Sequence, residues 1–342
     1  MADAPEEEAI TNALRKILKP ERKKLYFLAG HGERDLTDAK NRGFQVARQA
    51  LENEGYDVTA LNLLSQPETP QDAAAVLIAG PARPLMGSEL AALQAYLDRG
   101  GRILALLEAF QDGGLKTFLG RYGVGLDDGL ILDMNQVSQS LGVSPVMPLA
   151  VQYGDSRITR DFKNTVTIYP LARPLTLKTD IAGVAATALV TTMNTSWEKR
   201  GKEWLKAGKA EYDPGADRKG PFTVGALAEI SPAPAKDKKA RPKAGDTPSD
   251  GPKAYLVVYG SADFAANPYF NLFGNGDLFL NTVNFLAAEE AQITLRQSRK
   301  PQLLTLTRSQ VWLLLVASLV WAPVLMVAAG VWAYRRRRAA RR

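Results

Sequence analysis

Five apolar runs punctuate the first part of the chain: 25–29, 57–63, 73–81, 102–108 and 129–133. Each is short and bounded by Gly, Pro or charged residues, which predicts buried strands. Between them, apolar residues recur at helical spacing. Ala47, Ala50 and Leu51 lie within a predicted helix over 38–54, stopped by Gly55. Leu90, Leu93 and Leu97 predict a second helix, with Ser88 as its cap and Gly100-Gly101 as its end. A third is expected near 114–122. Upstream, Ile10, Ala13, Leu14, Ile17 and Leu18 form the stripe of a short amphipathic helix, and Lys19-Pro20 ends it. Apolar strands alternating with helices predict an α/β fold. They imply a parallel sheet with helices on both faces and right-handed crossovers.

The texture changes near residue 134. Positions 135–195 are rich in Val, Thr and Pro, and "TVTIYPLARPLTL" predicts extended pieces rather than helices. "GPFTVGALAEI" (220–230) reads as a strand. Residues 231–252, "SPAPAKDKKARPKAGDTPSDGP", hold no large apolar side chain and predict a flexible surface loop. A basic binding arm is the alternative, with five positive and three negative charges. "AYLVVYGSADF" (254–264) is a further strand breaking at Gly260-Ser261. Residues 277–289 read as a helix carrying Leu278, Val283, Phe285 and Leu286, with Asp277 as its cap. No internal repeat is visible.

The pattern closes on Val311 to Tyr334, 24 residues without a charge. As a helix they span about 36 Å at roughly 1.5 Å per residue, enough for a hydrocarbon core of about 30 Å. Trp312, Trp332 and Tyr334 lie near its ends, where aromatic belts sit. The expectation is one C-terminal transmembrane helix. Six arginines follow it in 335–342, against Arg296, Arg299, Lys300 and Arg308 before it. The denser side predicts a cytoplasmic tail and a body outside the cytoplasm. The N-terminus "MADAPEEEAI" is acidic and is no signal peptide. An exported body needs such a signal, so a missing N-terminal part is expected; a tail-anchored cytosolic adaptor is the alternative.

These boundaries give an organisation: an N-terminal helix and linker (1–20), an α/β domain (21–290), a juxtamembrane linker (291–310), the apolar segment (311–334) and a basic tail (335–342). The α/β domain carries a β-containing insertion at about 135–230 and the loop 231–252.

Charge sharpens this picture. The chain carries +7, and removing the six terminal arginines leaves +1. A nearly neutral body argues against a nucleic-acid-binding face spread over the fold, whereas a basic tail beside an apolar segment suits an anionic lipid surface. There is no cysteine and one histidine. Disulfides, thiolate nucleophiles and cysteine or histidine-rich metal sites are thereby excluded. No cofactor is expected.

Three stretches carry a resemblance: "AITNALRKILKPERKKLYFLAGHGERDL", "LDRGGRILALLEAFQDGGLKTFLGRYGVGLDDGLILD" and "YGSADFAANPYFNLFGNGDLFLNTVNFLAAEEAQITLR". With the final apolar segment, they resemble the gliding-motility-associated auxiliary component of ABC-2-type transport systems. That resemblance implies a flavodoxin-like, class I glutamine-amidotransferase-like sheet. It implies a place at the cytoplasmic membrane beside an ABC permease and its ATP-binding subunit, and an N-terminal segment with its own membrane helix.

The candidate chemistry lies at strand ends, where open parallel sheets bind ligands. His31 and Glu33 follow the first strand, Gly80 the third, Glu108 the fourth and Asp263 a late one. They form a candidate ligand-binding crevice, in which a histidine and carboxylates could move protons or hold a cation. The bland reading competes: the glycines of "GHGE" serve a tight turn, and His31 and Glu33 tie down a loop. Catalysis is not expected, because the amidotransferase cysteine is missing and no G-x-S-x-G elbow replaces it. No G-x-x-x-x-G-K-[ST] occurs, so ATP hydrolysis belongs to a partner. The expectation is a membrane-anchored, non-enzymatic transport subunit. The rival is an anchored hydrolase or sugar-binding enzyme using His31, Glu33, Glu108 and Asp263.

Overall fold

A computed structural model describes residues 22–134, 142–202, 204, 210–231, 252–288 and residues 330, 332 and 336. The chain divides into two compact units, Met1–Arg296 and Gln297–Arg342. In the second, Gly330, Trp332 and Arg336 are helical and exposed, with the Arg336 guanidinium 5.2 Å from the Trp332 ring centre. The predicted helix over 1–20, most of the loop 231–252, the linker 291–310 and the rest of 311–334 lie outside the described residues. Among the described residues no helix is long and apolar enough to cross a membrane.

The first unit is built on β1 (Lys24–Leu28), β2 (Asp57–Leu61), β3 (Ala73–Ala79), β4 (Arg102–Leu106) and β14 (Ala254–Tyr259). These five run parallel in the order β2-β1-β3-β4-β14. Their side chains alternate between two cores. Leu25, Phe27, Leu77, Leu104 and Val257 enter one. Tyr26, Leu28, Val76, Ile78, Ile103 and Val258 enter the other. A strand's side chains point to opposite faces in turn, so a strand apolar at every position must be covered twice. Helices α1 (Gln45–Asn53) and α5 (Asn275–Leu286) contribute Ala47, Leu51, Leu278, Phe279 and Val283 to the first core. Helices α2 (Gly87–Asp98) and α3 (Lys116–Gly120) contribute Leu93, Tyr96, Leu97 and Phe118 to the second. Leu278, Phe279, Val283 and Leu286 are fully buried; each such side chain contributes about 1.5–3 kcal/mol.

The expected fold class, a parallel sheet plus a transmembrane helix, is corrected here. The sheet is mixed. Beyond β14 it continues antiparallel through β13 (Thr223–Ile230), β10 (Val184–Thr192), β7 (Leu149–Tyr153) and β8 (Thr167–Ile168). β5 (Val124–Leu126) and β9 (Leu175–Leu177) join at its side, also antiparallel. A second small sheet joins β6 (Gly129–Asp133), β11 (Ser196–Arg200) and β12 (Arg218–Lys219), again antiparallel. Parallel pairs need a crossover of a dozen residues or more, usually helical, whereas antiparallel pairs do not. Between α3 and the short 3-10 helix Asp263–Ala265, which precedes helix α4 (Asn267–Phe270), Trp204 is the one helical residue described. With no crossover helix among the described residues there, the Val- and Thr-rich middle of the chain pairs antiparallel.

Helix starts also differ from expectation. Ser88 does not cap α2; the Glu89 carboxylate accepts the Met86 N–H at 2.8 Å instead. The helix expected from 38 begins at Gln45 because residues 38–43 wrap around Asn267. The Asn267 side chain accepts the Val46 N–H at 2.9 Å and donates to the carbonyls of Asp38 and Lys40. α5 begins at Asn275, and Asp277 lies in its first turn rather than capping it. Buried Asn275 bonds both the N–H and the carbonyl of Ile168, and the carbonyl of Phe264.

Where the parallel and antiparallel halves meet, three tyrosines lie in or beside the core. Tyr169 stacks on Tyr259 at 6.5 Å and on Phe264 at 5.6 Å. Thr167 Oγ1 lies 2.9 Å from the Tyr153 hydroxyl and 3.1 Å from that of Tyr169. Tyr259 meets Thr282 Oγ1 at 2.9 Å. Burial pushes all three phenols above their ordinary value, because a phenolate is poorly solvated there. The neutral form is held by the fold, so their contribution is complete below about pH 10, the pKa of a free tyrosine. It is lost as pH rises through the folded values, because the unfolded chain ionises first. In an alkaline titration, their tyrosinate absorbance is expected to appear in the same cooperative step as loss of the circular-dichroism signal. Ionisation of these rings with the fold intact contradicts this.

Candidate functional site

The turn after β1 is built to bring its side chains back over the sheet. Gly30 and Gly32 have φ of +125° and +79°, a region most other residues avoid. The His31 carbonyl accepts the N–H groups of Ala82 and Arg83, both at 2.9 Å, and the Arg34 N–H donates to Ala79 O at 2.8 Å. The turns after β1 and β3 are thus pinned together. Gly80, at φ +62°, sits where a Cβ would lie 3.1 Å from Glu108 Oε1 and from Ala262 Cβ.

Two ionic groups occupy this strand end. In the first, His31 stands between two carboxylates: Nδ1 is 3.3 Å from Glu33 Oε1, and Nε2 is 2.9 Å from Glu89 Oε2. A carboxylate oxygen faces each ring nitrogen, and only the doubly protonated ring donates to both. Glu33 Oε2 also accepts the His31 N–H at 2.7 Å. His31 and Glu89 are buried, and Glu89 Oε1 has no partner among the described residues.

In the second group, Arg34 Nη2 bonds Glu108 Oε1 and lies 2.6 Å from Asp263 Oδ1. Arg42 Nη2 reaches the same Glu108 oxygen at 2.6 Å. Arg34, Glu108 and Asp263 are about nine-tenths buried, whereas the Arg42 side chain is 60% exposed. Buried like charges repel strongly unless a counter-charge stands between them. Arg34 supplies it for Glu108 and Asp263.

Of the five residues expected to form a crevice, Gly80, Glu108 and Asp263 meet around Arg34. His31 and Glu33 pair in the neighbouring group with Glu89. Sequence reasoning missed Arg34, Arg42 and Glu89. Arg34 stood beside Glu33 in "GHGERD", and three carboxylates at buried strand ends called for a cation. The arrangement presents no nucleophile. Buried Ser261 turns its hydroxyl to Pro170 O at 2.5 Å. Phe110, two residues beyond Glu108, has a φ of 63° and carries a phenyl ring. Among the described residues no group of three or more His, Asp or Glu is arranged to hold a metal ion.

Comparison with known proteins places this geometry. Residues 22–285 match the model of the ABC_transp_aux family, described as an ABC-type uncharacterized transport system. The chain belongs to this family. The match spans β1 to α5, and so every residue of both ionic groups in this ABC transport auxiliary protein. No curated protein matches the sequence. Among solved structures, the mmIFT52 N-terminal domain is similar, at TM-score 0.51 and 16% identity, over 77% of this chain and 97% of that one. At that identity the likeness is one of fold. ThuA-like proteins align less closely. One from Parabacteroides merdae gives TM-score 0.45 at 11% identity, over 79% of this chain and 91% of its own. One from Bacteroides uniformis gives 0.42 at 11%, over 78% and 91%.

Proposed function

We propose that this ABC transport auxiliary protein is non-enzymatic. Its α/β body acts as a scaffold beside an ABC permease and its ATP-binding subunit. The ionic closure of the strand-end crevice carries this reading. Glu108 and Asp263 are held by Arg34, and His31 is held between Glu33 and Glu89. A general acid or base needs a side chain within reach of a substrate proton; these are committed to each other. Family membership supports the transport setting.

The body lies outside the cytoplasm in this reading, held at the cytoplasmic membrane with the arginine tail inside. Its support is the uncharged stretch 311–334 and the six arginines after it. The lipid bilayer is then a further partner.

A ligand-binding role for the crevice is the second reading, and Arg42 favours it. Its guanidinium is exposed yet bonded to Glu108. An acidic ligand arriving there competes with Glu108 for the cation, over a floor formed by His31, Glu33, Gly80, Glu108 and Asp263.

Purification of the full chain from its own membranes in mild detergent tests the main proposal. The permease and ATP-binding subunit are expected to elute with it; elution without either overturns the assignment. In spheroplasts, an added membrane-impermeant protease is expected to cleave the body. Protection of the body overturns the proposed location.

A further inference from the structure

The end of the sheet opposite the candidate crevice holds a cleft of about 650 Å³. It lies at the amino ends of β1, β3 and β4, beside the carboxy ends of α2 and α5. Lys23, Arg99 and Arg102 line it, with Thr69, Asp72 and Ala288 in the same wall. Backbone carbonyls orient all three cations. Lys23 Nζ donates to Ala287 O at 2.5 Å, and Arg102 Nη1 to Leu286 O at 2.6 Å. Arg99 Nη2 donates to Thr69 O at 2.6 Å. The Arg99 guanidinium lies 5.1 Å from the Tyr96 ring centre, and that of Arg102 lies 5.8 Å from the Tyr255 ring centre.

Carbonyls and rings position the two guanidinium groups without neutralising them. Among the described residues neither Arg99 nor Arg102 has a carboxylate partner. Asp72, in the wall, is already committed: it accepts from Lys24 Nζ at 2.8 Å and from the Tyr26 hydroxyl at 3.0 Å. Glu68, also in the wall, is exposed. Thr69 is buried, and its hydroxyl has no partner among the described residues. A guanidinium carries five donors in a planar fork, and one bond to a carbonyl leaves most of them open. Two oriented forks and an unspent hydroxyl match the oxygens of a phosphate, which accept several charge-assisted bonds at once.

We propose that this cleft binds a phosphate group, held by Arg99, Arg102 and the Thr69 hydroxyl. The phosphate belongs to a free anion or to a lipid headgroup. The proposal stands on the cleft alone and does not depend on the transport reading.

Calorimetric titration of the full chain with inorganic phosphate, in phosphate-free maltoside micelles, tests it. Saturable binding is expected. Arg99→Gln, a change at an exposed side chain, is expected to weaken binding about tenfold, the effect of removing one charge-assisted contact. Arg102→Gln is expected to do the same. Adding phosphatidylglycerol to the micelles separates the sources. Loss of the phosphate heat marks the headgroup as occupant, and an unchanged isotherm marks a soluble anion. Absence of saturable binding in plain micelles overturns the proposal, as does undiminished binding by folded Arg99→Gln.

Discussion

An Arg34→Met variant is expected to lose about 3–5 kcal/mol of folding stability, the cost of removing one partner from a buried ionic group. The guanidinium lies between Glu108 and Asp263, each about nine-tenths buried. Its removal leaves two carboxylates facing each other with little solvent. Exposed Arg42 still reaches Glu108 but makes no bond to Asp263, so it restores only part of the balance. Chemical denaturation measures the effect as a lower midpoint with an unchanged slope. Adding Glu108→Gln and Asp263→Asn to Arg34→Met is expected to recover much of the loss, because the uncompensated charges are then gone. A loss below about 1 kcal/mol, the range of exposed pairs, refutes this account of the crevice.

Arg173 is expected to be as sensitive for a different reason. It is the largest fully buried side chain described. Its Nε and Nη2 donate to Asp127 O at 3.1 and 2.7 Å, and Nη1 reaches Glu108 O at 3.2 Å and Gln111 O at 3.4 Å. Nη2 also meets Asp128 Oδ1 at 3.2 Å. This one fork ties the loop after β4 to the turn between β5 and β6. Burial pulls its pKa down, and Asp112, Asp128 and Asp127 oppose that shift. Arg173→Met is expected to cost about 3–5 kcal/mol, because the buried carbonyl of Glu108 and the part-buried carbonyls of Asp127 and Gln111 lose this donor. Arg173→Lys is expected to rescue little, since a single ammonium cannot replace a planar fork. A fall in thermal midpoint on the order of 10 °C is the corresponding readout. Full stability in Arg173→Lys would falsify the geometric argument.

Both expectations bear on function. Arg34 holds the Glu108 side chain, and Arg173 holds its backbone. A carboxylate restrained at both ends suits a rigid surface better than a proton relay. The buried His31 group shares this character, with each ring nitrogen facing a carboxylate. That rigidity is what the proposed scaffold role requires, and it follows from the same bonds that predict the losses above.

What the sequence by itself determined is what local pattern can encode. Runs such as "KLYFL", "AAAVLIA" and "RILAL" specify strands covered on both faces, because each apolar position needs a core and successive positions point opposite ways. The missing cysteine and serine elbow remove two classes of nucleophile. Only the tertiary structure decided how distant segments meet. The later strands pair antiparallel, with no crossover helix between them among the described residues, so a sheet expected to be parallel became mixed. The start of α1 depended on Asn267, 221 residues from the Val46 N–H that it caps. Arg34 found Glu108 and Asp263 at separations of 74 and 229 residues. Burial made that pairing necessary, because carboxylates withdrawn from water need a counter-charge. The sheet order β1-β3-β4-β14 made it possible, by setting those strand ends side by side.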